Sequence, residues 1–374
     1  MSQVQILFYC QESFSLFDGG EQGLRSGGAG MKVFHAANEL AKDERLKVAF
    51  LFPPDQAKLL SHPRIDFLPL PEFQLGGGLL TRRRNAYRLR HVRLDDMPAV
   101  MISTMDEYVP SFSALATALK AKSIYWMASD RDIVNPVCRG SLSKEDVIAM
   151  IVACDGVISQ TQSQRQKLLE TQGRESVVVA NGWPMPEDTL GLEEREYVLW
   201  VGAAKAHKQP DYFIRLAAEF PEQNFVMLAP PTQERERDSE FYRELSYKAS
   251  QLENLRLIDV AVPLKSVDEY YRKAKIFVNT SLYEGFPNTF IQAMSAATPL
   301  LSLRVNPDEF ITRNSLGFCA EDNFEQLVKQ LGLLLEDKAQ WKNASSKARS
   351  YAMKHHDIAK TVADIKSVIT SVAT

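Results

Sequence analysis

Short apolar runs rich in β-branched residues recur along the whole chain, with longer amphipathic segments between them. In the first half they read as strands at 4–10, 47–52, 65–70, 99–104, 123–128, 156–159 and 176–181. Segments such as MKVFHAANELAK (31–42) and SALATALKA (113–121) carry helical spacing between them. Continuously apolar strands that alternate with helices predict a parallel sheet covered on both faces. A polar stretch with Pro and Gly, NGWPMPEDTLGLEERE (181–196), breaks the pattern and reads as an interdomain linker. The alternation then restarts, with strands expected at 197–202, 224–230, 255–260, 276–281, 299–303 and 316–321. Two helices are expected to close the chain, at about 322–336 and 337–372, the second broken near His355. The fold class predicted is α/β, with two doubly wound domains in tandem facing a cleft. In open α/β sheets ligands bind beyond the carboxyl ends of the strands, at the switch point of the strand order.

Length agrees with that division, since 374 residues correspond to roughly two domains or slightly more. A net charge of −3 provides no overall basic field for nucleic acid. Cys10, Cys138, Cys154 and Cys319 are too scattered for a zinc site or a disulfide framework, which suits a reducing cytosol. The N-terminal MSQVQILFYC lacks a charged leader region, and no run of 18 apolar residues is present, so no signal sequence or membrane span is expected.

The residues most suggestive of chemistry follow strands. After IFVNTS comes SLYEGFPNTFIQAM (281–294), which runs into an amphipathic segment. Gly285 permits a tight turn, Pro287 suits a first helical position, and Asn288 and Thr289 would present backbone N–H groups there. A helix N-terminus preceded by glycine is a natural cradle for phosphate or sugar hydroxyls, and Glu284 can accept hydrogen bonds from vicinal hydroxyls. An ordinary strand–turn–helix with capping residues has the same pattern.

The string EGFPNTFIQAM resembles the EGFP-N-x-x-x-E-A segment of retaining family 4 glycosyltransferases of the GT-B fold. That resemblance implies that Glu284 contacts a donor sugar and that the backbone of Gly285, Phe286, Pro287, Asn288 and Thr289 holds sugar hydroxyls and phosphate. A second family glutamate, which holds the ribose, falls on Gln292. Glutamine keeps an acceptor oxygen but lacks charge assistance, so weaker or altered donor binding is expected. The segment VGAAKAHKQP (201–210) is similar to the family's G-R-x-x-x-x-K, whose basic residues grip the donor diphosphate. Gly202 and Lys208 match, Ala203 stands at the arginine position, and Lys205 is the candidate for the missing charge. Gly27-Gly28-Ala29-Gly30 resembles the family's glycine loop between the first strand and first helix, which places Gly28 near the donor. The rival dinucleotide fingerprint is not supported, because GxGxxG is absent and the preceding loop is too long. Ala153–Thr161 and Asn181-Gly182 look like architectural landmarks of the same family.

The resemblance gives the domains roles: a Rossmann-like acceptor domain over 1–190, a Rossmann-like donor domain over 191–355, and a helix at 356–374 packing back towards the first domain. It implies transfer of a sugar from a nucleoside diphosphate sugar to an acceptor hydroxyl, with retention and with no metal or cofactor. In the family mechanism the acceptor attacks from the face the leaving group departs, and a donor phosphate oxygen helps take its proton. No protein base is then demanded. Catalytic roles are assigned to Glu284, Lys208 and Asp130; the family's loop at this last position often carries a histidine pointing at the reacting sugar, none occurs here, and Asp130 is the residue expected to reach the acceptor. Asp130-Arg131-Asp132 also has the form of a metal–nucleotide motif of another transferase fold, which the tandem domains and EGFPN argue against. His355-His356 has no further ligand at useful spacing, so no metal is expected there.

Arg82, Arg83, Arg84, Arg88, Arg90 and Arg93 form a basic concentration with no acid before Asp95. It suits a solvated face, an anionic acceptor or the anionic inner face of a membrane, and with no aromatic stacking platform beside it, it does not suit nucleic acid. The partners expected are a nucleotide sugar and a glycan or lipid-linked acceptor, in bacterial polysaccharide or glycolipid assembly in the cytoplasm. Competing readings are a nucleotide-sugar epimerase or hydrolase on the same fold, a non-catalytic nucleotide-sugar-binding module and, more distantly, a nicotinamide-dependent dehydrogenase.

Overall fold

A computed structural model describes residues 4–19, 27–70, 99–138, 142–231, 234–260 and 262–373. The chain divides into two compact units, one of residues up to 182 together with 358–374, and one spanning 183–357. Each unit is built on one all-parallel sheet. In the first the strands are β1 (Val4–Tyr9), β2 (Leu46–Phe52), β3 (Ile65–Pro69), β4 (Ala99–Ser103), β5 (Lys122–Trp126), β6 (Gly156–Ser159) and β7 (Val177–Val178), in the order β3-β2-β1-β4-β5-β6-β7. In the second they are β8 (Tyr197–Val201), β9 (Phe225–Leu228), β10 (Leu255–Ile258), β11 (Ala274–Asn279), β12 (Leu300–Ser302) and β13 (Gly317–Cys319), in the order β10-β9-β8-β11-β12-β13. Both orders reverse beside their first strand: β1 pairs with β2 and β4, and β8 with β9 and β11. These are the doubly wound sheets the alternation predicts, with a switch point in each unit.

The strands are apolar along their length because helices cover both faces. On one face of the first sheet Ile6, Phe8, Phe50, Ile102 and Trp126 pack against Val33, Ala36 and Ala37 of the helix Gly28–Leu40. On the other face Leu7, Met101 and Tyr125 meet Phe112, Val147 and Ile151. The C-terminal helix Ile358–Ala373 joins the first face, burying Ile358, Val362, Ile365 and Ile369. Each such side chain contributes roughly 1.5–3 kcal/mol. Gly156 matters for that packing, since a Cβ there would lie 3.0 Å from Cγ2 of Val372. The preceding helix, Lys338–His355, stops where expected, and Asp357 then pairs with Trp183 in an isolated parallel bridge.

The stretch 181–196 differs from a loose linker. Asn181, Trp183 and Arg195 are all buried, and the division between the units falls at Gly182 instead of 190. Arg195 accounts for much of this order. Its guanidinium donates to the carbonyl oxygens of Leu190, Ala274, Ala296 and Ala297 and to Thr298 Oγ1, and lies over the Trp341 ring. A polar sequence with no apolar period therefore packs through one buried cation, a device that leaves no periodic trace.

Candidate functional site

The unusual residues of the second unit meet at its switch point, where the carboxyl ends of β8 and β11 lie side by side. Past β8 the chain passes Gly202 and makes a short 3-10 turn, Ala206–Lys208, before the helix Pro210–Ala218. Glycine is required at 202, because a Cβ would sit 2.9 Å from the Trp200 ring running beneath it. The indole of Trp200 donates to Thr280 Oγ1 (2.9 Å), and Thr280 in turn donates to the Lys208 carbonyl (2.7 Å). The Leu282 N–H donates to the His207 carbonyl at 2.8 Å. Two loops separated by some 70 residues of sequence are thus stitched together below the site.

Above those stitches the Lys208 ammonium donates to Glu284 Oε1. The same oxygen accepts from Ser281 Oγ at 2.8 Å, and Ser281 N–H is held by Asn279 Oδ1 at 3.1 Å. The Lys208 and Glu284 side chains retain 22% and 17% exposure, so the pair is screened from bulk water yet open to a ligand. Next comes the helix Asn288–Ser295, whose N-cap residue, Pro287, makes no side-chain capping bond. The positive end of its dipole lies at the same loop. Pro287 stands one place earlier than expected, as the N-cap with ψ 122°, because its extended backbone turns the chain into the helix. The combination of an ammonium, a helix start and a carboxylate can hold a di-anionic group beside a hydroxyl-bearing one.

The other second-unit residues take different places. The Phe286 ring turns inward against Phe310 (4.9 Å) and His356 (4.7 Å), leaving its backbone for the loop surface. Gly285 and Thr289 are half-buried and Asn288 is buried. Lys205 is exposed on the turn that ends in Lys208. Gln292 is buried, and its side-chain Nε2 has no hydrogen-bond partner among the described residues; Asp268, on the helix Leu264–Arg272, lies near it. Desolvation of its carboxyl pushes Asp268 up to about 6, although the residue keeps an exposed surface. Sequence reasoning passed over Asp268, Ser281 and Thr280. Asp268 is one of many acids on amphipathic helices, and nothing in its spacing points to Gln292.

Gly28 and Asp130 belong to the first unit. Gly28 opens the helix Gly28–Leu40 after Gly27, whose backbone is extended. Asp130 is half-buried and ion-paired with Lys167 at 3.1 Å. Its neighbour Asp132 is buried and accepts from the Ala128 N–H (2.7 Å) and from Tyr125 Oη (3.0 Å). The two acids of the tripeptide therefore diverge. Lys32 crosses the same strand ends, donating to the Met127 carbonyl at 2.7 Å from above the Trp126 ring. Among the described residues no group of three or more His, Cys, Asp or Glu is placed to hold a metal ion. His356 is buried in the aromatic cluster of Phe286 and Tyr351. Arg82–Arg93 lie outside the described residues. Among those described, no helix is long and apolar enough to cross a membrane.

Residues 185–353 match the family glycosyl transferases group 1. An uncharacterized glycosyltransferase of Haemophilus influenzae is 24% identical over 292 residues, covering 75% of this chain and 78% of the relative. Among solved structures, HepE of Anabaena in complex with UDP and glucose superposes with a TM-score of 0.72 at 14% identity, over 98% of this chain and 99% of that one. Sucrose-phosphate synthase of Thermosynechococcus elongatus gives a TM-score of 0.76 at 15% identity, over 98% of each chain. At such identities the solved structures speak for the fold, two parallel-sheet units of GT-B type.

Proposed function

For a GT-B chain whose residues 185–353 carry the glycosyl transferases group 1 domain, we propose transfer of a sugar from a nucleoside diphosphate sugar to an acceptor hydroxyl, with retention of configuration. The observation that carries this reading is the Lys208–Glu284 pair, tethered at the switch point beside the start of the helix Asn288–Ser295. The departing diphosphate gains negative charge as the glycosidic bond breaks. Lys208, the helix N-terminus and exposed Lys205 supply positive potential at that point, which lowers the barrier only to the extent that it favours the developing charge. The reading requires no metal ion. Glu284 accepts hydrogen bonds from the donor sugar's hydroxyls and fixes the anomeric carbon over the phosphates. Gln292 offers its amide oxygen to the ribose. Donors of this class carrying UDP are supported by the fold shared with HepE, whose complex holds UDP and glucose.

The test is thermal stabilisation by UDP-, GDP-, ADP- and CDP-sugars, with and without EDTA. One nucleotide class should raise the melting temperature equally in both conditions, and Lys208→Ala and Glu284→Ala should abolish the shift. A shift that EDTA removes would refute metal independence. Product formed from the donor with no acceptor present would replace transfer by epimerisation or hydrolysis. Stabilisation by no nucleotide at millimolar concentration would refute donor binding.

A further inference from the structure

Among the described residues the exposed large hydrophobics include two aromatic rings, Tyr247 and Tyr283. Tyr283 is 56% exposed although it sits in the most heavily tethered part of the second unit. Its ring lies flat against the imidazole of His207, with centroids 5.1 Å apart and planes 12° from parallel. The backbones on both sides are fixed. The Leu282 N–H donates to the His207 carbonyl, and the next residues on each side, Lys208 and Glu284, are joined by their ion pair. An isolated tyrosine on a surface is ordinary and needs no explanation. A ring stacked on a second ring, held by cross-links fore and aft and left bare on its outer side, is a rigid apolar plate. It is next in sequence to a carboxylate and beside an ammonium that accept and donate hydrogen bonds.

Rings of the pyranose type match that arrangement chemically. One face of a pyranose presents axial C–H groups that pack on an aromatic face, while its rim presents hydroxyls for charged side chains. We infer that Tyr283, backed by His207, is a stacking plate for a pyranose ring at the site containing Lys208 and Glu284. This rests on the transferase reading and deepens it. The ring is a sugar of the donor or of the acceptor, and the plate sets preference among sugars by how many axial hydroxyls they would press against it. A flat C–H face stacks; an axial hydroxyl on that face has to be desolvated against carbon without a partner.

The experiment compares the unaltered protein with Tyr283→Ala and Tyr283→Phe by calorimetric titration with UDP, UDP-glucose, GDP and GDP-mannose. Saturation-transfer NMR with methyl α-glucoside, α-galactoside and α-mannoside supplies a second readout that needs no nucleotide. Loss of a stacked ring should cost roughly three- to tenfold in affinity. With the donor sugar on the plate, Tyr283→Ala keeps its affinity for the free diphosphate and loses that factor from the nucleotide sugar. With the acceptor on the plate, both nucleotide titrations are unchanged and the methyl glycoside signal falls. Tyr283→Phe behaves like the unaltered protein in either case. The inference is overturned if Tyr283→Ala changes neither readout, or if it weakens the free diphosphate as much as the nucleotide sugar. Failure of the transferase reading looks different, since the unaltered protein would then bind no nucleotide while the glycoside arm still decides the plate.

Discussion

Lys208 and Glu284 neutralise each other before any ligand arrives, so removing one is expected to do more than delete a contact. In Lys208→Ala the diphosphate loses one charge-assisted hydrogen bond, about 1.5–3 kcal/mol. It also meets an uncompensated carboxylate, because Glu284 keeps only the Ser281 hydroxyl of the two groups now bonded to Oε1. A like charge about 6 Å away at an effective dielectric of about 20–40 costs a further ~1.4–2.8 kcal/mol. The single variant should therefore bind free nucleoside diphosphate some 10²- to 10⁴-fold more weakly, with each 1.4 kcal/mol counting tenfold. Adding Glu284→Gln removes the repulsion while keeping the side-chain volume. The double variant should recover about ten- to a hundredfold of that loss for the free diphosphate, and none of the preference for the nucleotide sugar over the diphosphate. The assay is a double-variant cycle by calorimetric titration at fixed ionic strength. Two losses that add to within about 0.5 kcal/mol would show that the groups act independently on the ligand and would refute the reasoning.

Gly182→Ala should loosen the C-terminal helix from the first unit, since its Cβ would lie 2.6 Å from Thr361 Oγ1 and 2.9 Å from the Ile358 backbone; limited proteolysis should then clip the chain after 357 faster than in the unaltered protein. Arg195→Lys keeps the charge but cannot reproduce a fork that reaches Leu190, Ala274, Ala296 and Thr298 together; a loss of about 3 kcal/mol is expected by denaturant titration, and a loss under about 1 kcal/mol would speak against the role given to this residue. His35 is held down to about 4 by burial, below its ordinary 6.5. The unfolded chain therefore binds the extra proton between those values, so this group's contribution is intact above pH 6.5 and falls as pH drops towards 4, by up to about 3 kcal/mol. His35→Gln should flatten stability between pH 6.5 and 4 by guanidinium titration, and an unchanged slope would refute the assignment.

Much of the architecture was legible because parallel strands buried on both faces must be apolar throughout. LFYC-like runs and their helical spacers mark them without reference to partners, as in β1, β8 and β11. Strand ends were legible for a related reason. Glycine at 202 and the Glu284–Asn288 turn follow apolar runs directly, and they fall at the switch point because β8 and β11 are neighbours there. Polar contacts made across the fold were not legible. Thr280 reaches the Lys208 carbonyl from another loop, and Arg195 gathers carbonyls up to about 100 positions away. Hydrogen bonds to backbone oxygens impose no residue type on the partner, so the partner leaves no mark. The stretch around 181–196 holds the division between the units, as the linker reading expects, but the order that Arg195 gives it left no mark in the sequence.

The stitching beneath the site has a consequence for how the donor is met. Thr280 and Leu282 bond to backbone oxygens of Lys208 and His207, so the 205–208 turn and the 280–284 loop move as one piece. Lys208 therefore does not have to be brought to Glu284 by the ligand. The ordering entropy of these loops is spent during folding, and only the exchange of one ammonium partner for another is left to binding. That exchange favours a ligand that offers both charges an alternative: phosphate for the ammonium and hydroxyls for the carboxylate. A bare diphosphate satisfies Lys208 while stranding Glu284, and a free sugar does the reverse. A nucleotide sugar satisfies both at once, which makes the ion pair a selector for the intact donor over its two hydrolysis products.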